Sequence, residues 1–356
     1  MKSECTVSAP GRICLFGEHQ DYLGLPVIAS AINLRIHVRA AKDDVGRIRV
    51  YLPYSGEVVH IELKAEAEYR NSRDYLRSAF NIVRRLGTTW NSGFHATIHG
   101  NIPINAGVSS SSALVVTWIR LLLEMSADGC TLSSDEIARL SYEAEVTEFQ
   151  ESGGMMDHYC AAVGCLLEID TRPPFKASPL NANLTGIVLG NSMQPKATVE
   201  TIRIVRTLIA DGIRELTELH PDFDLAITPL QDVEHALNRL PTMNAVPLRA
   251  NLLNRDLTIK GRAALSNNDQ MTLGELFLAH HAQLRDGLGL STTKIERILA
   301  AAMSAGALGG KINGSGGGGC LLALAPGREE QVAEAMRAEG AEVFLVHGDG
   351  GVRVEA

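Results

Sequence analysis

The sequence predicts a two-domain protein that mixes strands and helices, and three observations carry that expectation. At 356 residues the chain exceeds the ~100–200 residues usual for one domain. Period-two apolar alternation and helix-period stretches both recur from one end to the other. Composition changes after Asp170, where residues 171–180 (TRPPFKASPL) carry three prolines and read as a crossing linker. The division is therefore set at residues 1–180 and 181–356.

The elements follow in order. Residues 5–12 form a first strand, and 13–16 are apolar. Residues 34–39, 48–52 and 58–63 alternate like strands. Residues 69–86 read as a helix with Tyr75, Leu76, Ala79, Phe80, Ile82 and Val83 on its buried face, ended by Gly87. A strand-like run (Phe94, Ala96, Ile98) leads to a loop and a helix over 113–125. Ser133 and Glu136 are spaced as a capping box for a helix reaching about Phe149. A short helical piece ends at Val163, and residues 165–169 and 186–189 are strand-like. Helical sequence then runs from about 198 to 268, interrupted by Pro221, Pro229, Pro241 and Pro247. Further helices cover 271–288, 294–305 and 329–337, with strands at 321–325, 342–346 and 352–354.

Composition narrows the function classes. Hydrophobic residues make up 45% and charged residues 21%, ordinary for a soluble globular protein. The formal charge is 33 − 41 = −8 with no run of five Lys or Arg, which argues against a nucleic-acid partner. The first residues lack a signal-peptide core and no apolar run reaches ~18 residues, so a cytoplasmic protein away from membranes is expected. The six cysteines are scattered without a CxxC pair, which argues for buried thiols rather than a zinc site or disulfide framework.

Four stretches carry chemistry. In residues 101–113 (NIPINAGVSSSSA), Ser109, Ser110, Ser111 and Ser112 follow a Pro/Gly loop at the start of an apolar helix. Unpaired N–H groups and the positive dipole end suit a phosphate there, although serine is also favoured as a plain N-cap. The loop has no GxxxxGK[ST] lysine. Glu18, His19 and Asp21 form a polar cluster between apolar runs, with Arg12 just ahead. Such groups suit pairs of sugar or polyol hydroxyls, or else form an acidic turn. Asp157, in GGMMDHY, stands near a helix start, where it acts either as an N-cap or as a desolvated general base. Residues 309–320 (GGKINGSGGGGC) permit positive φ and close backbone approach, or a flexible turn.

Together these stretches resemble the motifs of the GHMP kinases. GRICLFGEHQDYLGLPVIASAI is similar to the galactokinase signature Gly-Arg…Gly-Glu-His-x-Asp-Tyr. PINAGVSSSSA resembles the PxxxGLxSSA phosphate loop, with Val108 and Ser112 as departures, and GGKINGSGGGGC the third motif, with Asn313 and Ser315 as departures. The resemblance implies an α+β, two-domain fold: an N-terminal domain with an unusual βαβ crossover, a ferredoxin-like C-terminal domain, and the active site between them. It implies ATP-dependent phosphorylation of an alcohol, with Asp157 catalytic and Arg12 beside the reacting hydroxyl. It assigns Mg²⁺ to Ser111 and Glu145, and sugar binding to Glu18, His19, Asp21 and Gly154. It assigns nucleotide binding to Gly107, Ser109, Ser110, Ser111, Ser112, Gly316 and Gly317. A sugar 1-kinase for a galactose-like substrate, monomeric or homodimeric, is the first expectation. A kinase for a heptose phosphate, uronic acid or isoprenoid precursor is the second, and a non-catalytic sugar and ATP sensor the third. The mevalonate branch usually carries lysine where Arg12 stands. Against galactose itself stand the absence of any tyrosine after Tyr159 and Gln20 in place of the usual threonine.

Overall fold

The computed structural model describes residues 2–53, 55–127, 129–195 and 198–355, with residues 198 and 199 described in backbone only. In chain order the N-terminal elements are β1 (Glu4–Phe16), β2 (Val27–Lys42), β3 (Arg47–Leu52), β4 (Glu57–Glu62), α1 (Tyr75–Arg85), β5 (Phe94–Gly100), α2 (Ser110–Glu124), α3 (Ser134–Tyr142), α4 (Met156–Val163), β6 (Leu166–Asp170) and β7 (Lys176–Pro179). The C-terminal elements are β8 (Ile187–Asn191), α5 (Thr198–Leu219), α6 (Leu230–Leu237), α7 (Thr242–Ser266), α8 (Gln270–Ala282), α9 (Thr293–Ser304), β9 (Gly309–Ile312), β10 (Cys320–Leu324), α10 (Glu329–Ala338), β11 (Glu342–Val346) and β12 (Arg353–Val354).

The first sheet has the order β12-β1-β2-β5-β3-β4, with β6 paired to β2 and β7 to β6. Its one parallel pair among the described residues, β3 with β5, is joined through β4 and α1, the crossover of this domain. Helices α1 to α4 pack together, with α2 and α4 against β1 and β2, over a core that includes Phe80, Phe94 and Trp118. The second sheet is antiparallel throughout, in the order β11-β8-β10-β9. Numbered within itself that order is 4-1-3-2, the ferredoxin-like arrangement, with five helices inserted between its first two strands.

Several sequence expectations need correction. Residues 171–180 are not simply a linker, because β7 forms a hairpin with β6 and stays in the first sheet. The helix expected from residue 69 begins at Tyr75. Asp74 draws the preceding loop in, accepting from the Arg70 N–H at 2.9 Å and from Arg77 Nη1 at 2.7 Å. Pro247 does not interrupt α7. The carbonyl its missing N–H would have met belongs to Met243, whose residue is exposed to water. The Ser133–Glu136 capping box is present, but the helix it starts widens into a π turn at Glu143–Thr147 that carries Glu145. Cys130 and Cys165 are exposed, whereas the other four cysteines are buried. The last strand, β12, leaves the second sheet and pairs with β1.

Candidate active site

The loop expected to receive phosphate docks directly on β1. The β1–β2 register shifts between Pro10 and Arg12, and Gly11 sits at the shift, where a Cβ would come within 2.7 Å of the Val108 carbonyl. The Arg12 N–H donates to that carbonyl at 3.2 Å. Arg12 is 5% exposed, and its side chain bridges two elements: Nη1 donates to the Gly107 carbonyl at 2.5 Å and Nε to Asp157 Oδ1 at 2.7 Å. Ser109, at φ +61°, makes the turn into α2 without a side-chain cap, and its buried hydroxyl makes no hydrogen bond of ordinary geometry. The plain N-cap reading is therefore not the structural one. The first-turn N–H groups beyond Ser109 keep their capacity for an external acceptor.

The glycine stretch meets this loop from the second sheet. Asn313 Nδ2 donates to the Gly107 carbonyl at 2.8 Å, and its Oδ1 accepts from the Cys14 N–H at 2.7 Å. The Cys320 N–H donates to the Ala106 carbonyl at 2.7 Å. Gly314 (φ +82°) approaches so closely that a Cβ would lie 2.8 Å from the Gly107 oxygen. Asn313, a departure from the usual motif, is thus a tie between the two sheets. Gly316 and Gly317 lie outside the cleft lining, the former against Leu290 and the latter donating its N–H to the Leu290 carbonyl at 2.8 Å.

A cleft with about 830 Å³ of empty space, part of it open to solvent, is lined by Arg12, Asp21, Ser111, Glu145, Gly154 and Asp157 among others. Its two aspartates are driven apart in acidity. Burial pushes the Asp157 carboxyl up, but the Arg12 charge, with help from nearby Ser109 and His158, outweighs it and leaves Asp157 below the usual range. Burial, and then the Asp157 charge, push Asp21 up to about 6 despite the Tyr22 N–H that it accepts at 2.9 Å. Gly154 is required beside Asp21, since a Cβ there would fall 2.1 Å from Oδ2.

Two residues of the expected sugar cluster are occupied otherwise. Glu18 reaches the cleft lining, yet its side chain is only 1% exposed and its carboxylate is ion-paired with the fully buried Lys311. Of the His19 ring, Nε2 meets the Ser315 carbonyl at 3.1 Å and Nδ1 meets the Tyr22 hydroxyl at 2.8 Å. The carbonyl can only accept, so Nε2 carries the proton and Nδ1 accepts from Tyr22. Gln20 also turns away, its Nε2 donating to the Asn251 carbonyl of α7 at 2.9 Å.

The two residues expected to hold Mg²⁺ are brought together. Ser111 and Glu145 line the same cleft, and Glu145 Oε2 accepts from His158 Nε2 at 2.8 Å. Two oxygen donors beside a phosphate loop fit Mg²⁺, which keeps waters and substrate phosphates as its other ligands. The sequence reading passed over His158 and Lys311. The first is signalled only by its place next to Asp157, the second by a lone charge in a glycine-rich run before an apolar strand.

Residues 74–165 match the family described as GHMP kinases N terminal domain, residues 251–342 GHMP kinases C terminal, and residues 1–42 the Galactokinase galactose-binding signature. The chain is 31% identical to the mevalonate kinase of Thermococcus onnurineus over 98% of this chain and 97% of that one. It is 28% identical to the galactokinase of Haemophilus influenzae over 91% and 85%. Its fold is similar to the crystal structure of Lactococcus lactis galactokinase complexed with galactose, with a TM-score of 0.83 and 22% identity over 99% and 95% of the two chains. Among the described residues no helix is long and apolar enough to cross a membrane. With two sheets meeting at a phosphate-type loop and both halves matched, the chain belongs to the GHMP kinases, ATP-dependent phosphotransferases that act on alcohols.

Proposed function

We propose that the protein transfers the γ-phosphate of ATP to the anomeric hydroxyl of a galactose-like monosaccharide. The observation that carries this reading is the meeting of Arg12, Asp157 and Asp21 in one cleft behind the phosphate loop, within a segment that matches a galactose-binding signature. Gly107 and Ser109 to Ser112 receive the phosphates, and Gly316 and Gly317 let the facing loop fold tightly. Asp157, ionised beside Arg12, accepts the hydrogen bond of the attacking hydroxyl and orients its lone pair toward phosphorus. A weak base suffices, because in a loose phosphoryl-transfer transition state the nucleophile is little bonded and its proton moves late. Arg12 steadies the charge that develops on the transferred group. Asp21 takes neighbouring sugar hydroxyls, with Gly154 leaving the room. Mg²⁺, held by Ser111 and Glu145, would neutralise phosphate charge when bound, with His158 orienting the Glu145 carboxylate.

A second reading is phosphorylation of an isoprenoid-type alcohol. It is favoured by the relatives at 30–32% identity over nearly the whole chain, which are mevalonate kinases. ADP release measured over galactose, other free hexoses, sugar phosphates, uronic acids and mevalonate separates the two. An anomeric phosphate doublet in the ³¹P spectrum of the product supports the first, and a phosphate on a primary alcohol overturns it.

A further inference from the structure

We propose that Lys311 and Glu18 are positioning residues, a buried latch between the two sheets that sets the acceptor loop (residues 17–24) against the glycine loop, and that Glu18 is not an acceptor ligand. The proposal rests on the phosphotransfer reading but not on which alcohol is phosphorylated.

Lys311 lies on β9 with no solvent exposure, and its three N–H donors are all spent. One goes to the Glu18 carboxylate, one to the Cys14 carbonyl at 2.9 Å, and one to the Ile312 carbonyl at 2.8 Å. Cys14 faces Ala29 of β2, and the β1–β2 register shifts just beyond it, between Cys14 and Phe16. Its carbonyl takes Lys311 and its N–H gives to Asn313, so the segment 311–313 grips both polar groups of one β1 residue. The same segment continues to the Gly107 carbonyl through Asn313 and to the His19 ring through the Ser315 carbonyl. Acceptor loop, phosphate loop and glycine loop therefore take their mutual register from one short stretch.

Glu18 depends on that stretch for its charge balance. Its Oε2 makes no hydrogen bond, and His280 Nε2 lies 3.7 Å away. Burial, then the Lys311 charge, hold His280 well below its usual range, so it stays neutral. Lys311 is then the cation that compensates a carboxylate closed off from water. Removing one partner of such a pair leaves an uncompensated buried charge, whereas replacing both with apolar groups is often tolerated. Asp21 stands three residues beyond Glu18 on the same loop. A shift of about 1 Å there can cost about a hundredfold in rate.

The test compares Glu18→Gln, Lys311→Met and the double variant Glu18→Leu/Lys311→Met, using whichever acceptor in the panel above the wild-type enzyme turns over fastest. Wild-type turnover tests the phosphotransfer reading separately. Measured are KM for acceptor, KM for ATP, kcat and melting temperature. The latch predicts that each single variant raises both KM values and lowers kcat/KM by roughly ten- to a hundredfold. The double variant should melt higher than Lys311→Met and bring acceptor KM back to within about fivefold of wild type, as expected when an orphaned buried charge is removed. The proposal is overturned if both Glu18 variants raise acceptor KM alone while Lys311→Met leaves it unchanged, the pattern of a direct ligand. It is equally overturned if the variants only melt lower with both KM values intact. Should the single variants fail to fold, the double variant decides by the same fivefold limit on acceptor KM.

Discussion

Replacing Asp21 by asparagine removes a charge that the fold holds unwillingly. The carboxyl stands at about 6 against an ordinary 3.8, for burial first and the Asp157 charge second. At 1.36 kcal/mol for each tenfold change in proton affinity, the ionised form is destabilised by about 3 kcal/mol as an upper bound, and by about 1–2 kcal/mol once the open side of the cleft is allowed for. The sign follows from proton linkage. Above pH 6 the folded protein bears the whole penalty. Between 6 and 3.8 the folded state binds a proton that the unfolded state does not, so wild-type stability gains as pH falls, and below 3.8 the penalty is gone. Asp21→Asn, which keeps an oxygen for the Tyr22 N–H, should therefore raise the ligand-free melting temperature by roughly 1–3 °C at pH 7.5 and by clearly less at pH 5. The same variant should lose on the order of a hundredfold in kcat/KM for the acceptor, because a charged hydrogen-bond acceptor becomes a neutral one. Calorimetric melts at both pH values check the first part and steady-state kinetics the second. A variant that melts no higher than wild type at pH 7.5, or whose gain is the same at pH 5, refutes the argument that Asp21 is held under electrostatic penalty.

Gly154→Ala places a Cβ where Asp21 Oδ2 now lies, so acceptor KM should rise at least about tenfold with ATP KM little changed, and an unaltered acceptor KM would remove Asp21 from the acceptor site. Asp157→Asn should lower kcat by on the order of 10²–10⁴ with ATP affinity, measured by calorimetry, nearly constant; near wild-type turnover would dismiss Asp157 as the hydroxyl's partner. Ser111→Ala and Glu145→Gln should each raise the Mg²⁺ concentration needed for half-maximal rate, and unchanged metal dependence in both would dismiss the metal assignment. In the wild type, acceptor kcat/KM should fall as pH drops through about 6, where Asp21 gains its proton, while Asp157 stays ionised; a profile flat down to pH 5 would contradict that assignment.

What the sequence revealed follows its local signals. The capping box at Ser133, the helix after the serines and the strand after the glycines each depend on neighbours in sequence, and each is present. The meeting of Arg12, Asp157 and Ser111 was legible only through motif resemblance, since 145 residues separate the first two. The Lys311 partner of Glu18 was hidden from the sequence for a physical reason. A carboxylate among polar residues reads as a ligand until its counter-ion is known, and that counter-ion, Lys311, lies 293 residues away. The hairpin β6–β7 was hidden by prolines, which mark a turn but do not say whether the chain returns to the same sheet.

The pairing of β12 with β1 bears on how the molecule is assembled during synthesis. Residues 353 and 354 supply an edge for the very first strand, and just before them the carbonyls of Gly350 and Gly351 and the carboxylate of Asp349 satisfy the nearly buried Arg35 guanidinium at 2.8–3.0 Å. A nascent N-terminal half therefore emerges from the ribosome with an open edge on β1 and with Arg35 held only by Ser8 and short of its three C-terminal acceptors, and both wait for more than three hundred further residues. The two halves cannot mature independently in order of translation. The N-terminal sheet is complete only once residues 353 and 354 are available, and a nascent chain stalled short of residue 349 would leave β1 exposed to pairing with another molecule.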